Sequence, residues 1–173
     1  MIEIETERLA LKKLGSVDKE RLIDLIGDFR VSETLSNVPH PYADNDADYW
    51  LKIANRSELK LSIFLDDVLI GGIGLTPKDD DFCELGYWLG FEYWGQGYAT
   101  EACSGLLHYA ETNTPYKMFK ANVYTGNNAS SKVLEKIGFK KIGTGEVFSL
   151  SKQENVDCLN YEYCLPDEVT RFA

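Results

Sequence analysis

The chain has 173 residues, 44% hydrophobic and 12% aromatic, enough for one domain with a filled core. With 27% charged residues and a net charge of −10, it reads as a globular protein rather than a disordered one, and as a poor nucleic-acid binder by long-range attraction. No apolar run approaches the roughly 18 residues that span a bilayer, and the start, MIEIETERLALKKLG, lacks a basic segment followed by an apolar block, so a single cytoplasmic domain over residues 1–173 with no membrane partner is expected.

Residues 5–14 read as a first strand. Residues 18–28, DKERLIDLIGD, begin with an acid and put Leu22, Leu25 and Ile26 on one helical face. NVPHPY breaks the chain with Pro39 and Pro41. DADYWLKIANR then forms a second helix from an Asp cap among Asp44 to Asp48, with Tyr49 and Trp50 in its core face. The pattern next switches to period two, and LSIFLDDVLIGGIGL predicts a hairpin turning at Asp66-Asp67. Pro77 and Asp79 to Asp81 form an acidic turn before a strand over 82–91, FCELGYWLGF, which runs straight into WGQGYAT. ATEACSGLLHYAE is a helix with Ala99, Ala102, Cys103, Leu106 and Ala110 on one stripe and a structural His108. Residues 117–125 are a strand, and NNASSKVLEKIGF is a helix capped by Asn and stopped by a left-handed Gly138. Two strands over about 140–151 and 156–165 end at Pro166. The order β-α-α-β-β-β-α-β-α-β-β predicts a single-domain α/β fold, a mixed sheet with helices on both faces.

Four cysteines (Cys83, Cys103, Cys158, Cys164) have no two-residue-gap pair and no histidine pair beside them, so reduced thiols and no metal site are expected. The charge is uneven: residues 117–141 hold six lysines against Glu135, a local +5, leaving −15 for the rest. That basic region suits a phosphorylated ligand and the acidic remainder a cationic second substrate; a solvated helix face and turn fit it as well.

A strand, then Gly95-Gln96-Gly97, then a helix makes an anion site, because glycine admits close approach to the backbone and the first helical turn has N–H groups without partners at its positive dipole end. A tight strand–helix connection would have the same pattern. The ATP-binding P-loop is excluded, since Gly97 is followed by Tyr98 rather than Lys, and the dinucleotide fingerprint is excluded by Thr100 where it needs a third glycine.

WGQGYA resembles motif A of the GCN5-related N-acetyltransferases, Gln/Arg-x-x-Gly-x-Gly/Ala, matching at Gly97 and Ala99 and departing at Trp94. The later Asn-x-x-Ser and helix ending Gly-Phe, residues 127–139, match the family's second motif. With YATEA and VLEKIGF they resemble the branch that acetylates N-termini of ribosomal proteins (RimJ/RimL-like), over nearly the whole chain. The resemblance implies acetyl-CoA as co-substrate, its pantetheine arm lying between two splayed parallel strands, 82–91 and 117–125. The backbone at Trp88, Leu89, Gly90 and Phe91 would bond the arm, the amides of Gly95, Gln96, Gly97, Tyr98, Ala99 and Thr100 the pyrophosphate, and Asn127 the arm, as a helix cap or both. Lys132 or Lys136 would meet the ribose phosphate.

The reaction this implies is attack of a neutral amine on a thioester, which needs a base for the amine proton and a donor for the leaving thiolate. Glu84 is the leading base, sharing a strand face with Gly86 and Trp88 amid apolar neighbours; a surface acid paired to the next strand is its alternative. The family's helix tyrosine, seven residues after Asn127, is replaced by Leu134. Ser130 is then the better acid, or a second cap hydroxyl, with Tyr124 as fallback. His40 lines the acceptor site or sits on the surface. Expected acceptors are cationic amines, a protein N-terminus first, then a polyamine, amino acid or aminoglycoside; a coenzyme A-binding module without turnover is the reading of another class. A homodimer is left open.

Overall fold

The computed structural model describes residues 2–79 and 81–166; of the acidic turn, Asp80 lies outside them. Its strands are β1 (Ile4–Glu5), β2 (Leu9–Lys12), β3 (Lys60–Leu65), β4 (Val68–Pro77), β5 (Phe82–Leu89), β6 (Met118–Tyr124), β7 (Lys140–Ser149) and β8 (Glu154–Cys164). Its helices are α1 (Lys19–Ile26), α2 (Phe29–Ser32), α3 (Asp44–Arg56), α4 (Tyr98–Asn113) and α5 (Asn128–Lys136). All eight strands form one sheet in the order β1-β2-β3-β4-β5-β6-β8-β7, antiparallel except for β5 with β6. No helix among the described residues is long and apolar enough to cross a membrane.

Local chemistry explains the elements. Asp66 and Asp67 both take positive φ, 48° and 62°, the two left-handed residues a tight right-twisted hairpin turn requires. Asn127 caps α5, its Oδ1 accepting from the Ser130 N–H at 3.2 Å. The expected first strand is instead a hairpin, because the Thr6 N–H bonds the Leu9 carbonyl (2.9 Å) and the Leu9 N–H bonds the Thr6 hydroxyl (3.1 Å). The sequence also hid α2, a four-residue helix capped by Asp28, whose carboxylate accepts from the Arg30 N–H at 3.0 Å.

Two apolar layers enclose the sheet. On one face Ala102, Cys103, Leu106 and Ala110 of α4 and Leu134 of α5 meet Leu61, Ile63, Leu75, Leu85 and Phe119. On the other, Leu22, Leu25 and Ile26 of α1, Val31 of α2 and Ala47 of α3 meet Phe64 and Leu69. Trp50 packs against this second layer, whereas Tyr49 points to solvent at 67% exposure, since neighbouring helical positions turn by about 100° and only one faces the sheet. His108 likewise lies on the outer face of α4, 4.0 Å from Glu111, and braces nothing in the core.

Strands β4 and β5 approach so closely that a Cβ added at Gly71 would land on the Trp88 carbonyl oxygen and crowd Leu89. Gly71→Ala is expected to cost about 1–3 kcal/mol by overpacking and to lower the melting temperature by several degrees; a thermal melt followed by circular dichroism checks it.

Candidate active site

The site grows from one irregularity of the sheet. Strands β5 and β6 pair in parallel only at Phe82↔Met118, Cys83↔Phe119 and Glu84↔Lys120. Their outer edges are fully laddered, β5 to β4 from Cys83 to Leu89 and β6 to β8 from Met118 to Tyr124. Beyond Glu84 the strands separate, and a cavity of about 630 Å³ opens between Leu85–Leu89 and Ala121–Tyr124, continuing to Gly95, Gly97 and the start of α4 at one end and to Thr34–Asn37 and Val147 at the other.

Strand alternation decides which groups face this wedge. The Gly90 N–H bonds the Ile70 carbonyl at 2.9 Å, so with the unbroken register the backbone groups of Trp88 and Gly86 also face β4. Those of Leu85, Tyr87 and Leu89 face the wedge, where the Leu89 carbonyl accepts from the Trp94 indole at 2.8 Å. Trp88 therefore offers the cavity its side chain rather than its backbone. Gly90 is pressed against Leu25 of α1, and Phe91 packs at a tilt against Trp94 with Arg30 above it at 3.7 Å; neither lines the cavity.

At the α4 end, Gly95 and Gly97 have φ of 71° and 83°, left-handed values that glycine takes without strain. The first intrahelical bond is Glu101 N–H to Gly97 carbonyl, 3.1 Å, which leaves the N–H groups of Tyr98, Ala99 and Thr100 free of helical partners. Gln96 folds its amide back on the Glu92 carbonyl (3.0 Å), so only its backbone serves the loop. Beneath the loop, Glu101 accepts from the Thr6 hydroxyl (2.6 Å), the Arg8 N–H (2.7 Å) and the Arg8 guanidinium (2.7 Å). Burial pushes the Glu101 carboxyl up, but these three donors outweigh it and hold it below the usual carboxylate range.

The two sheet faces supply different groups to the wedge. Tyr87 points toward α5, where its hydroxyl meets Ser130 Oγ at 2.6 Å, and burial pushes the phenol up. Leu134 beside them is fully buried and fills the place of the absent tyrosine with hydrocarbon. On the opposite face lie Glu84 and Tyr124. Glu84 is about one-third exposed (37%) and pairs with Lys78 at 3.4 Å, so the apolar enclosure expected of it is missing. The Tyr124 hydroxyl is buried, and among the described residues none meets it in strict hydrogen-bond geometry, Ser149 being the side chain that comes into weaker hydrogen-bonding contact. Burial holds its phenol above the ordinary value, against a smaller opposing influence of Ser149. Asn127 lines the cavity beside Ser130. Lys132 and Lys136 are exposed on α5 outside it, and His40 is exposed against Phe29 and Ser32, outside it as well.

Arg8, Thr6, Tyr87 and Lys78 escaped the sequence reading. Their partners lie 93, 95 and 43 residues away or across a turn, and no local period marks them.

Comparison with known proteins agrees with this geometry. The acetyltransferase (GNAT) domain family matches residues 8–140. The uncharacterized N-acetyltransferase YoaA of Bacillus subtilis is 30% identical over 174 residues, covering 95% of this chain and 98% of YoaA. The uncharacterized N-acetyltransferase p20 of Bacillus licheniformis is 28% identical over 91% of this chain and 93% of its own. Among solved structures, a GNAT-family acetyltransferase from Bacillus anthracis superposes with a TM-score of 0.84 at 22% identity, covering 94% of this chain and 98% of that one. RimL, a ribosomal L7/L12 α-N-protein acetyltransferase solved with coenzyme A, gives 0.79 at 17% over 95% and 98%. The microcin C7 self-immunity acetyltransferase MccE, solved with acetyl-CoA and AMP, gives 0.77 at 19% over 92% and 93%. The split sheet, the glycine loop at the head of α4 and these matches together make the chain a member of the GNAT acetyltransferase family, the acyl-CoA-dependent N-acetyltransferases.

Proposed function

We propose that the protein transfers the acetyl group of acetyl-CoA to the N-terminal α-amine of a protein, a ribosomal protein first. The observation that carries this reading is the wedge itself, one cavity lined both by the anion-binding loop and by Glu84 and Tyr124. The free N–H groups at the head of α4 take the pyrophosphate. The arm runs between β5 and β6 beside Asn127 and Ser130, bonding the wedge-facing backbone of Leu85 and Tyr87. The thioester then lies where the strands diverge, between the Ser130 and Glu84 faces.

The amine nitrogen attacks the thioester carbonyl carbon, the carbon–sulfur bond breaks, and the sulfur leaves as thiolate. Glu84, directly or through a water, takes the proton the nitrogen loses. Tyr124 gives its hydroxyl proton to the thiolate; burial keeps the phenol protonated and its one hydrogen-bonding neighbour, Ser149, lies outside strict geometry, whereas the Ser130 hydroxyl is engaged with Tyr87 at 2.6 Å. Holding the two reactants together supplies much of the acceleration.

Charge bears on the acceptor. Among the described residues lining the cavity Glu84 is the sole carboxylate, and it is shared with Lys78. One carboxylate matches one amine and leaves the further charges of a polyamine uncompensated. An α-amine also titrates near pH 8, roughly two units below lysine, and so asks less of an exposed base. The likeness to RimL, which acts on an α-amine, points the same way.

Release of free thiol from acetyl-CoA is expected with peptides bearing a free N-terminus and not with spermidine. The reverse preference would reassign the acceptor, and no release with any amine would leave a binding module. Glu84→Gln is expected to lower kcat about a hundredfold, the low end of what a positioned base contributes, with the acetyl-CoA Kd unchanged in calorimetry. Tyr124→Phe is expected to lower kcat about tenfold while Ser130→Ala changes it less, since a lost charge-assisted donor costs on the order of 1.5 kcal/mol; the opposite ranking would make Ser130 the acid.

A further inference from the structure

The guanidinium of Arg8 lies against the back of the anion-binding loop. Its Nη1 donates to the Gln96 carbonyl at 3.0 Å and its Nε to Glu101 Oε2 at 2.7 Å, while the group stacks 4.5 Å from the centre of the Tyr98 ring. A Cβ added at Gly97 would stand 3.3 Å from Arg8 Nη2, so the cation touches the loop backbone itself. The peptide joining Gln96 to Gly97 is trans, which sets the Gln96 carbonyl and the Gly97 N–H on opposite sides of its plane. With the carbonyl turned to Arg8, the Gly97 N–H is turned away from it, to the open side of the loop. Glu101, in the first turn of the same helix, would by itself repel an anion bound at that helix end.

We propose that Arg8 is a positioning residue for the acetyl donor: it holds the Gln96–Gly97 peptide with its N–H aimed at the pyrophosphate while pairing the neighbouring Glu101 carboxylate. Arginine suits the task because its planar fork presents two N–H directions at once, where a lysine ammonium offers a point charge. A hydrogen bond from a cation to a peptide carbonyl also polarises that peptide and strengthens the donor on its far side. The cation thus aids anion binding through the backbone, in a loop whose Trp94 stands where the resembling motif has Gln or Arg. The inference rests on acetyl-CoA being the ligand of this loop.

Binding of two donors separates positioning from mere stability: acetyl-CoA by calorimetry, and S-acetylpantetheine, which lacks the pyrophosphate, by saturation-transfer NMR. Arg8→Ala is expected to weaken acetyl-CoA about tenfold, the effect of one charge-assisted hydrogen bond, and to leave S-acetylpantetheine unchanged. The double variant Arg8→Ala/Glu101→Gln is expected to stay weak. Equal losses for both donors would reduce Arg8 to a brace of the fold, and full recovery in the double variant would reduce it to a counter-charge for Glu101; either overturns the proposal. Should Arg8→Ala not fold, Arg8→Gln, which keeps a neutral donor toward Glu101, is expected to give the same split between the donors, and equal losses there would again overturn it. Failure of the unaltered protein to bind acetyl-CoA would instead refute the donor assignment on which all of this stands.

Discussion

Three parallel residue pairs join β5 to β6, and everything functional depends on the ladder stopping there. Each strand is held along its other edge by an antiparallel partner through at least seven residue pairs, β4 for β5 and β8 for β6. Each half of the sheet therefore keeps its own ladder, and the seam between them can be open without breaking either. A single continuous sheet would leave no room for a ligand arm, while a seam with no pairing at all would not fix the distance between halves. Unpaired strand edges are costly when buried and otherwise invite a ligand that brings its own amide groups. A pantetheine arm, with two amides in line, answers that need.

The seam also sets which group does what. Because strand side chains alternate, residues a single position apart serve opposite faces. Tyr87 reaches α5 and Ser130, while Glu84 opens toward Lys78 on the other side. A ligand passing through the wedge meets hydroxyls engaged with one another on one face, and a Lys78-paired carboxylate and a buried phenol on the other. In the proposed reaction the donor's arm and the acceptor's amine meet between these two faces.

What the sequence disclosed follows the range of its physical signals. The turn at Asp66-Asp67, the Asn127 cap and the glycine loop before α4 are local, each decided by a few consecutive residues, and each stands where the pattern put it. Helix facing was legible on long stripes such as Ala102 to Ala110, yet failed at Tyr49, where two adjacent aromatics gave no hint which would be buried. The hairpin at Thr6–Leu9 was missed because its turn is made by a side-chain hydroxyl inside an otherwise strand-like run. Arg8 was missed for a different reason. An arginine near a strand end looks like surface charge until the fold brings a carboxylate from 93 residues away beside it.

A net charge of −10 at first sits badly with a ligand as anionic as coenzyme A. The contradiction dissolves once range is considered. At physiological salt the field of the whole chain fades within about 8 Å, whereas the peptide dipoles of the loop and of α4 act at contact with a bound anion. Of the six lysines between 117 and 141 none lines the cavity, Lys120 leaning on Glu162, and the one lysine that does line it, Lys78, pairs with Glu84. Binding an anion through backbone N–H groups makes the site insensitive to overall charge but sensitive to peptide orientation. On the proposed reading, two glycines with left-handed φ and one arginine held behind the loop set that orientation.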